Sequence, residues 1–292
     1  MSSMDRGRAN SLTEPRIAAI VVYFRTPELL TSSLDGLRRQ TVRPTEIVVV
    51  DNSSTVDRND QRPASGSDWK WIRAERNLGF GAACNLGAQS SDSEYLLFLN
   101  ADVSLCRDAC EHLYAAAKAD SRLAVVGPRL YGADGDIELS ARAFPTVATG
   151  LLGRSSYLTK ALGRLNRLPT GLSAALESRG LVDWVSGACM FVRRRAFDEV
   201  GGFDEDYWMY WEDADFCRRL KDRGWRTELC TKARADHRTG GSGRSEGTIR
   251  AFHSSAARYY ARHVARTATM AGLTRWILQV RMRWVLLRHA RR

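Results

Sequence analysis

The chain's densest chemistry lies at residues 207–219, YWMYWEDADFCRR, where Glu212, Asp213 and Asp215 follow Trp208, Tyr210 and Trp211. Neighbouring carboxylates suit general-base chemistry, and the rings beside them offer flat apolar faces. A plainer reading is a helix start. Acids in a first turn complement the positive helix end, and Asp215 with Arg219 is an i,i+4 pair. A second polar knot is FLNADV at 98–103. Asn100 and Asp102 are two apart at the end of an apolar run, and strand alternation points both the same way. Such oxygens suit Mg2+ or Mn2+ shared with phosphates; an Asx turn closing the strand is the alternative.

These residues need elements to position them. IAAIVVYF (17–24) and EIVVVD (46–51) read as strands buried on both faces. Thr26 and Pro27 open a helix as N-cap and first residue, with Leu29, Leu30, Leu34 and Leu37 on one face. WKWIR (69–73), EYLLFLNAD (94–102) and LAVVG (123–127) read as further strands, and 107–120 as a helix. RNLGFGAACNLGAQ (76–89) is a glycine-marked turn entering a helix. Strands alternating with helices predict an α/β fold with a mostly parallel sheet, whose ligands bind beyond the carboxyl ends of the strands. Asp51, Asn100 and Asp102 lie at such ends.

The second half is less regular. RLYGADGDIEL (129–139) predicts a hairpin, and LVDWVSGACMFVRR (181–194) a strand, a tight bend at Ser186-Gly187 and another strand. Short helices are predicted over 195–205 and 213–223, then a strand at 225–230 and a glycine-rich loop at 237–245; 146–180 reads as irregular. The domain reading is a flexible tail at 1–15, a catalytic domain at 16–240 (halves 16–128 and 129–240) and a basic helical extension at 241–292.

Composition excludes several classes. The 292 residues, 44% apolar and 26% charged, are ordinary for a globular chain with a sizeable core. No apolar run reaches the length of a membrane span, and the N-terminus has no signal-peptide core. The six scattered cysteines form no zinc pattern and read as reduced thiols. The net charge of +11 is concentrated: residues 247–292 hold ten arginines and no acid, leaving +1 for the rest.

The ordered set Asp51-Asn52, RNLGFGAACNLG, FLNADV, WVSGACMFVRR, GGFDEDYWMYWEDADFCRRL and His237 resembles the family 2 inverting glycosyltransferases of GT-A fold. Within them it is most similar to bacterial rhamnosyltransferases that use dTDP-rhamnose and a polyprenyl-diphosphate-linked N-acetylglucosamine. The resemblance spans roughly 17–240 and implies a Rossmann-like central sheet flanked by helices. It implies that Asp51 hydrogen-bonds the pyrimidine base, with Thr26, Asn52, Arg76, Asn77 and Gly79 around nucleotide and sugar. Asn100, Ala101 and Asp102 stand where the family has its DXD motif. Asn100 replaces its first acid, which leaves the metal more dependent on the diphosphate. His237 matches a histidine that completes the metal or diphosphate site in some members. Glu212-Asp213 matches the family's acid pair, Asp213 as base and Glu212 positioning the acceptor; Asp215 reads as structural. Trp184, Ser186, Gly187, Trp208, Tyr210 and Trp211 would line the acceptor. The implied cofactor is Mg2+ or Mn2+, and the donor a dTDP- or UDP-sugar, galactofuranose included. Gln279–Trp284, QVRMRW, is one residue too long for the Q-x-x-R-W motif of processive members, which implies single additions.

The tail adds a partner. Leu273, Ile277, Val280, Trp284 and Leu287 recur at 4,3,4,3 spacing, with Arg275, Arg281, Arg283, Arg288, Arg291 and Arg292 over the remaining surface. A basic amphipathic helix with Trp fits an anionic membrane surface; packing on protein is the alternative. The expected location is cytoplasmic, peripheral on the inner face of the plasma membrane. No recognition motif accompanies the charge to favour nucleic acid, and a non-catalytic binding module is the competing class. The oligomeric state, a homodimer included, is open.

Overall fold

The computed structural model describes residues 15–53, 69–146, 180–238 and 245–290. The N-terminal tail, nearly all of the irregular 146–180 segment and most of the glycine-rich loop lie outside the described residues.

The first half alternates as its sequence predicts. β1 (Ile17–Tyr23), α1 (Pro27–Arg38), β2 (Glu46–Asp51), β3 (Lys70–Arg73), α2 (Phe80–Ala88), β4 (Tyr95–Asn100), β5 (Val103–Leu105) and α3 (Ala109–Ala119) follow one another. The second half runs β6 (Leu123–Tyr131), β7 (Ala141–Arg142), β8 (Gly180–Val182), β9 (Trp184–Val185), β10 (Cys189–Arg193), α4 (Arg194–Glu199), α5 (Glu212–Asp222), β11 (Arg226–His237), α6 (Glu246–His263) and α7 (Ala268–His289).

One nine-stranded sheet joins the halves, in the order β3-β2-β1-β4-β10-β6-β11-β5, with β8 paired to β11. It is parallel through β3-β2-β1-β4. Beyond that it is mixed, because β10 inserts antiparallel between β4 and β6. The sheet is buried on both faces, as the continuous apolar strands require. Ile17, Ala19 and Val21 face a core with Leu30, Leu34 and Leu113 of α1 and α3. Ala18 and Ile20 face a second core with Ala83 of α2, Phe216 and Leu220 of α5 and Tyr259 of α6. The site residues at strand ends therefore rest on a rigid two-sided core.

Three sequence expectations change in detail. The final strand extends to His237, because β11 pairs along β6 and then with β5. The predicted hairpin reduces to a Tyr131–Ile137 bridge beyond β6. In α7 it is Trp276, not Ile277, that joins the outward stripe; Ile277 turns partly inward.

Candidate active site

One side of the candidate site is built from the ends of β1 and β2 and the loop before α2. Asp51 is buried; its Oδ1 accepts the Ser53 N–H at 3.1 Å, and Arg73 Nε donates to its Oδ2 at 3.2 Å. Asn52 staples the next loop. Its Oδ1 accepts the Leu78 N–H at 2.8 Å, and its Nδ2 donates to Asn77 Oδ1 and Gly79 O, both at 3.1 Å. Gly79 holds φ +84°, and a Cβ there would lie 1.8 Å from the Trp208 carbonyl oxygen. Trp208 Nε1 donates to Asn77 O at 3.3 Å. The loop at 77–79 is thus clasped to the aromatic loop that precedes α5. Thr26 stands at the N-cap of α1, but its hydroxyl makes no capping bond. Arg25 before it is left-handed, and its N–H donates to Ser53 Oγ at 3.2 Å. Arg76 is exposed at the rim.

The acid-bearing helix is aimed by unusual backbone. Tyr210 and Trp211 hold φ +65° and +70°, a region costly for bulky residues. This turn swings Asp213 onto the bend at Ser186–Ala188. The Gly187 N–H donates to Asp213 Oδ2 at 3.0 Å, and the Ala214 N–H to Oδ1 at 2.8 Å. A Cβ on Gly187 would lie 3.1 Å from the Phe80 ring and 3.5 Å from Asp213 Cβ. Burial raises the Asp213 carboxyl above its ordinary range; the two amide bonds and the Arg142 charge pull it partly back. Glu212 faces α2, its Cβ 3.6 Å from where a Gly81 Cβ would stand. Its Oε2 is buried without a hydrogen-bond partner. Burial, then the Asp213 charge, push Glu212 up to about 8.

The third acid belongs to packing. Asp215 is fully buried, with Arg219 Nε and His263 Nε2 each 2.7 Å from one of its oxygens. Burial opposes its charge, but these partners outweigh it and lower its pKa.

The same bend reaches the Asn100–Asp102 end. The Asn100 N–H donates to Ala188 O at 3.0 Å, and the buried Ala101 donates to Val22 O at 3.2 Å. β4 ends at Asn100, so the direction of Asp102 is set by the β4–β5 turn and not by strand alternation. Asp102 Oδ1 is buried without a hydrogen-bond partner, and His237 Nε2 stands 3.5 Å from it. His237 Nδ1 lies 2.7 Å from Glu138 Oε2. Burial lowers the imidazole, but hydrogen bonding and charge from Asp102 and Glu138 outweigh it and raise it to about 9. An imidazole between two carboxylates, with Asp102 Oδ1 engaged only by the long 3.5 Å contact, is a donor set that would fit a divalent cation once the imidazole gives up its proton. Among the described residues no three His, Cys, Asp or Glu side chains form a metal cluster, so further positions fall to other oxygens.

The four aromatics separate. Trp184 is buried, donates to Ala143 O at 3.1 Å and lies under Arg142 at 5.1 Å. Trp211 tilts against Tyr259 at 5.2 Å, and Tyr210 meets Phe252 edge-on at 5.8 Å. Trp208 is the most open of the four, 39% exposed. Ser186 forms the bend, donating its N–H to Ser140 O at 2.7 Å. Sequence reasoning missed Glu138, Arg142 and His263. No periodicity or motif marks them; pairing of distant strands and helices brings them in.

The glycosyl transferase family 2 pattern matches residues 18–201, more than half of the chain. The chain belongs to glycosyl transferase family 2. A second pattern, glycosyl transferase family group 2, matches residues 148–290 of this glycosyltransferase. The N-acetylglucosaminyl-diphospho-decaprenol L-rhamnosyltransferase of Mycobacterium tuberculosis is 30% identical over 255 residues, covering 83% of this chain and 82% of its own. The low-salt glycan biosynthesis hexosyltransferase Agl10 of Haloferax volcanii is 26% identical over 225 residues, covering 76% and 66%. Among solved structures, GalNAc-T7 with UDP, GalNAc and Mn2+ superposes with a TM-score of 0.62 at 18% identity, over 85% of this chain and 48% of that one. That likeness is one of fold, and the glycosyltransferase is a hexosyltransferase by family and relatives.

Proposed function

We propose that this glycosyltransferase moves L-rhamnose from dTDP-rhamnose, with inversion, onto a polyprenyl-diphosphate-linked N-acetylglucosamine acceptor in cell-wall or surface-polysaccharide assembly. The observation that carries the reading is the bend at 186–188: its Gly187 N–H holds Asp213, and its Ala188 carbonyl holds Asn100. One bend thus ties the base to the diphosphate end. The named rhamnosyltransferase relative supports the choice of donor and acceptor.

Asp213 takes the proton of the acceptor hydroxyl. The hydroxyl oxygen bonds to the anomeric carbon as the carbon–oxygen bond to the nucleoside diphosphate breaks, and the electron pair leaves with the diphosphate. Asp51 and Asn52 place the nucleoside beside Thr26, Arg76 holds the rim, and Trp208 offers a ring face to a sugar. Asp102 and His237, with Asn100, would hold Mg2+ or Mn2+, which when bound neutralises charge on the leaving diphosphate. The lipid-linked acceptor implies work at the inner face of the plasma membrane, and the unbridged cysteines support a cytoplasmic site.

The test is a donor panel, dTDP-rhamnose against UDP-galactofuranose and other UDP-sugars, with a polyprenyl-diphosphate-GlcNAc analogue and Mn2+ or Mg2+. Rhamnosyl product is expected. Turnover with a UDP-sugar alone overturns the donor. Asp213→Asn is expected to lower transfer by about 10²–10⁴-fold while dTDP still binds by calorimetry. Normal turnover by that variant removes Asp213 as the base.

A further inference from the structure

The α6–α7 extension carries a surface that the transfer chemistry does not use. α7 packs along α6 by an inner face in which Leu278 is buried. Its outer face shows Leu273, Trp276, Val280, Trp284 and Leu287, each between 47% and 62% exposed. Their spacing of 3, 4, 4 and 3 makes one apolar stripe about 20 Å long at the helical rise. Exposed Arg283 and Arg288 flank it, with Arg275 further round the helix, and Arg288 lies over the Trp284 ring at 3.6 Å.

Charge distinguishes the two helices. The α6 arginines are met by carboxylates: Arg250 by Glu246 at 3.6 Å, Arg258 by Asp206 at 2.6 Å, and Arg262 by Asp204. Among the described residues no carboxylate pairs with Arg275, Arg281, Arg283 or Arg288. An apolar stripe with two tryptophans beside unneutralised arginines matches the boundary of an anionic bilayer. The stripe enters the acyl edge while the guanidinium groups stay among the headgroups.

The extension is also fastened to the catalytic helix. His263 of α6 holds Asp215 of α5, and Trp211 packs on Tyr259. Ser255 Oγ donates to Met209 O at 2.9 Å, next to the strained turn into Asp213. We propose that the outward face of α7 docks on an anionic lipid surface, and that the Asp215 latch sets the active-site helix at a fixed attitude to that surface.

Vesicle co-sedimentation of the full chain tests this without any sugar donor, so its failure is separate from failure of the transfer reading. The chain is expected to sediment with phosphatidylcholine–phosphatidylglycerol vesicles, to leave pure phosphatidylcholine in solution, and to release with salt. Trp276→Ser/Trp284→Ser/Leu287→Ser and, separately, Arg275→Gln/Arg283→Gln/Arg288→Gln are each expected to weaken binding about tenfold or more. Both are expected to keep wild-type melting temperature and transfer to a short-chain soluble acceptor, and to lose transfer to an acceptor embedded in anionic vesicles. Wild type that ignores anionic vesicles, or variants that bind as wild type does, overturn the proposal. A wild-type dimer in solution that the apolar variant turns into monomers also overturns it, assigning the face to a second copy.

Discussion

Burial raises both adjacent carboxylates at the start of α5, but the groups around each differ. Asp213 keeps two amide donors and the field of Arg142, whereas Glu212 has an oxygen with no partner. The strained backbone at Tyr210 and Trp211 is what turns these consecutive residues to different neighbours. A carboxyl whose folded pKa is raised binds its proton more tightly when folded. Its contribution to stability is complete below the unfolded value and is lost as pH rises through the folded value, about 8 for Glu212. Wild-type melting temperature is therefore expected to fall between pH 5 and pH 8, and Glu212→Gln to reduce that fall; calorimetric scans across this range check it. The raised Asp213 value has its own consequence. Transfer is expected to fail on the acid side at a pH above the ordinary aspartate range, read from kcat against pH.

At the scale of elements, α5 is held from both sides. The bend at 186–188 takes its N-terminal acid, and α6 takes Asp215 through His263 while Arg219 closes the pair from within α5. Removing one partner leaves a buried carboxylate short of compensation, which costs about 3 kcal/mol or more. His263→Ala is expected to lower stability by that order in urea unfolding. It is also expected to lower kcat more than KM for the donor, because α6 is fastened to the acid-bearing helix and to the loop before it. A variant with native stability and kinetics would show that the latch carries no structural load.

At the scale of the molecule, the two halves form one sheet because β10 inserts between β4 and β6. That insertion places the 186–188 bend against the end of β4. The Asp102, His237 and Glu138 group draws on three separate segments: the β4–β5 turn, the end of β11 and the residues after β6. Loss of an outer carboxylate behind a ligating histidine lowers metal affinity about 10–100-fold. After metal removal, transfer is expected to return on adding Mn2+, and Glu138→Gln to need more Mn2+ for half activation by about that factor. An unchanged Mn2+ titration would place Glu138 outside the metal site.

The sequence by itself determined the local elements and the order of motifs. Continuous apolar runs specify strands buried twice, Thr26-Pro27 and Gly79 punctuate helix starts, and the basic tail is plain from its arginines. These features depend on residues close in the chain. It also nominated candidates for the chemistry, from Asp51 to Asp213, because their types stand at the strand and helix ends where such sheets bind ligands. Only the tertiary structure decided which of them share a site and with what neighbours. It sent Trp184 and Trp211 into packing and left Trp208 open. It split Glu212 from Asp213, and it brought in Glu138, Arg142 and His263. It turned Trp276 outward on α7 in place of Ile277. Each of these follows from contacts between residues tens of positions apart, set by the insertion of β10 and the docking of α6. Such contacts leave no periodicity or spacing in a single chain to read.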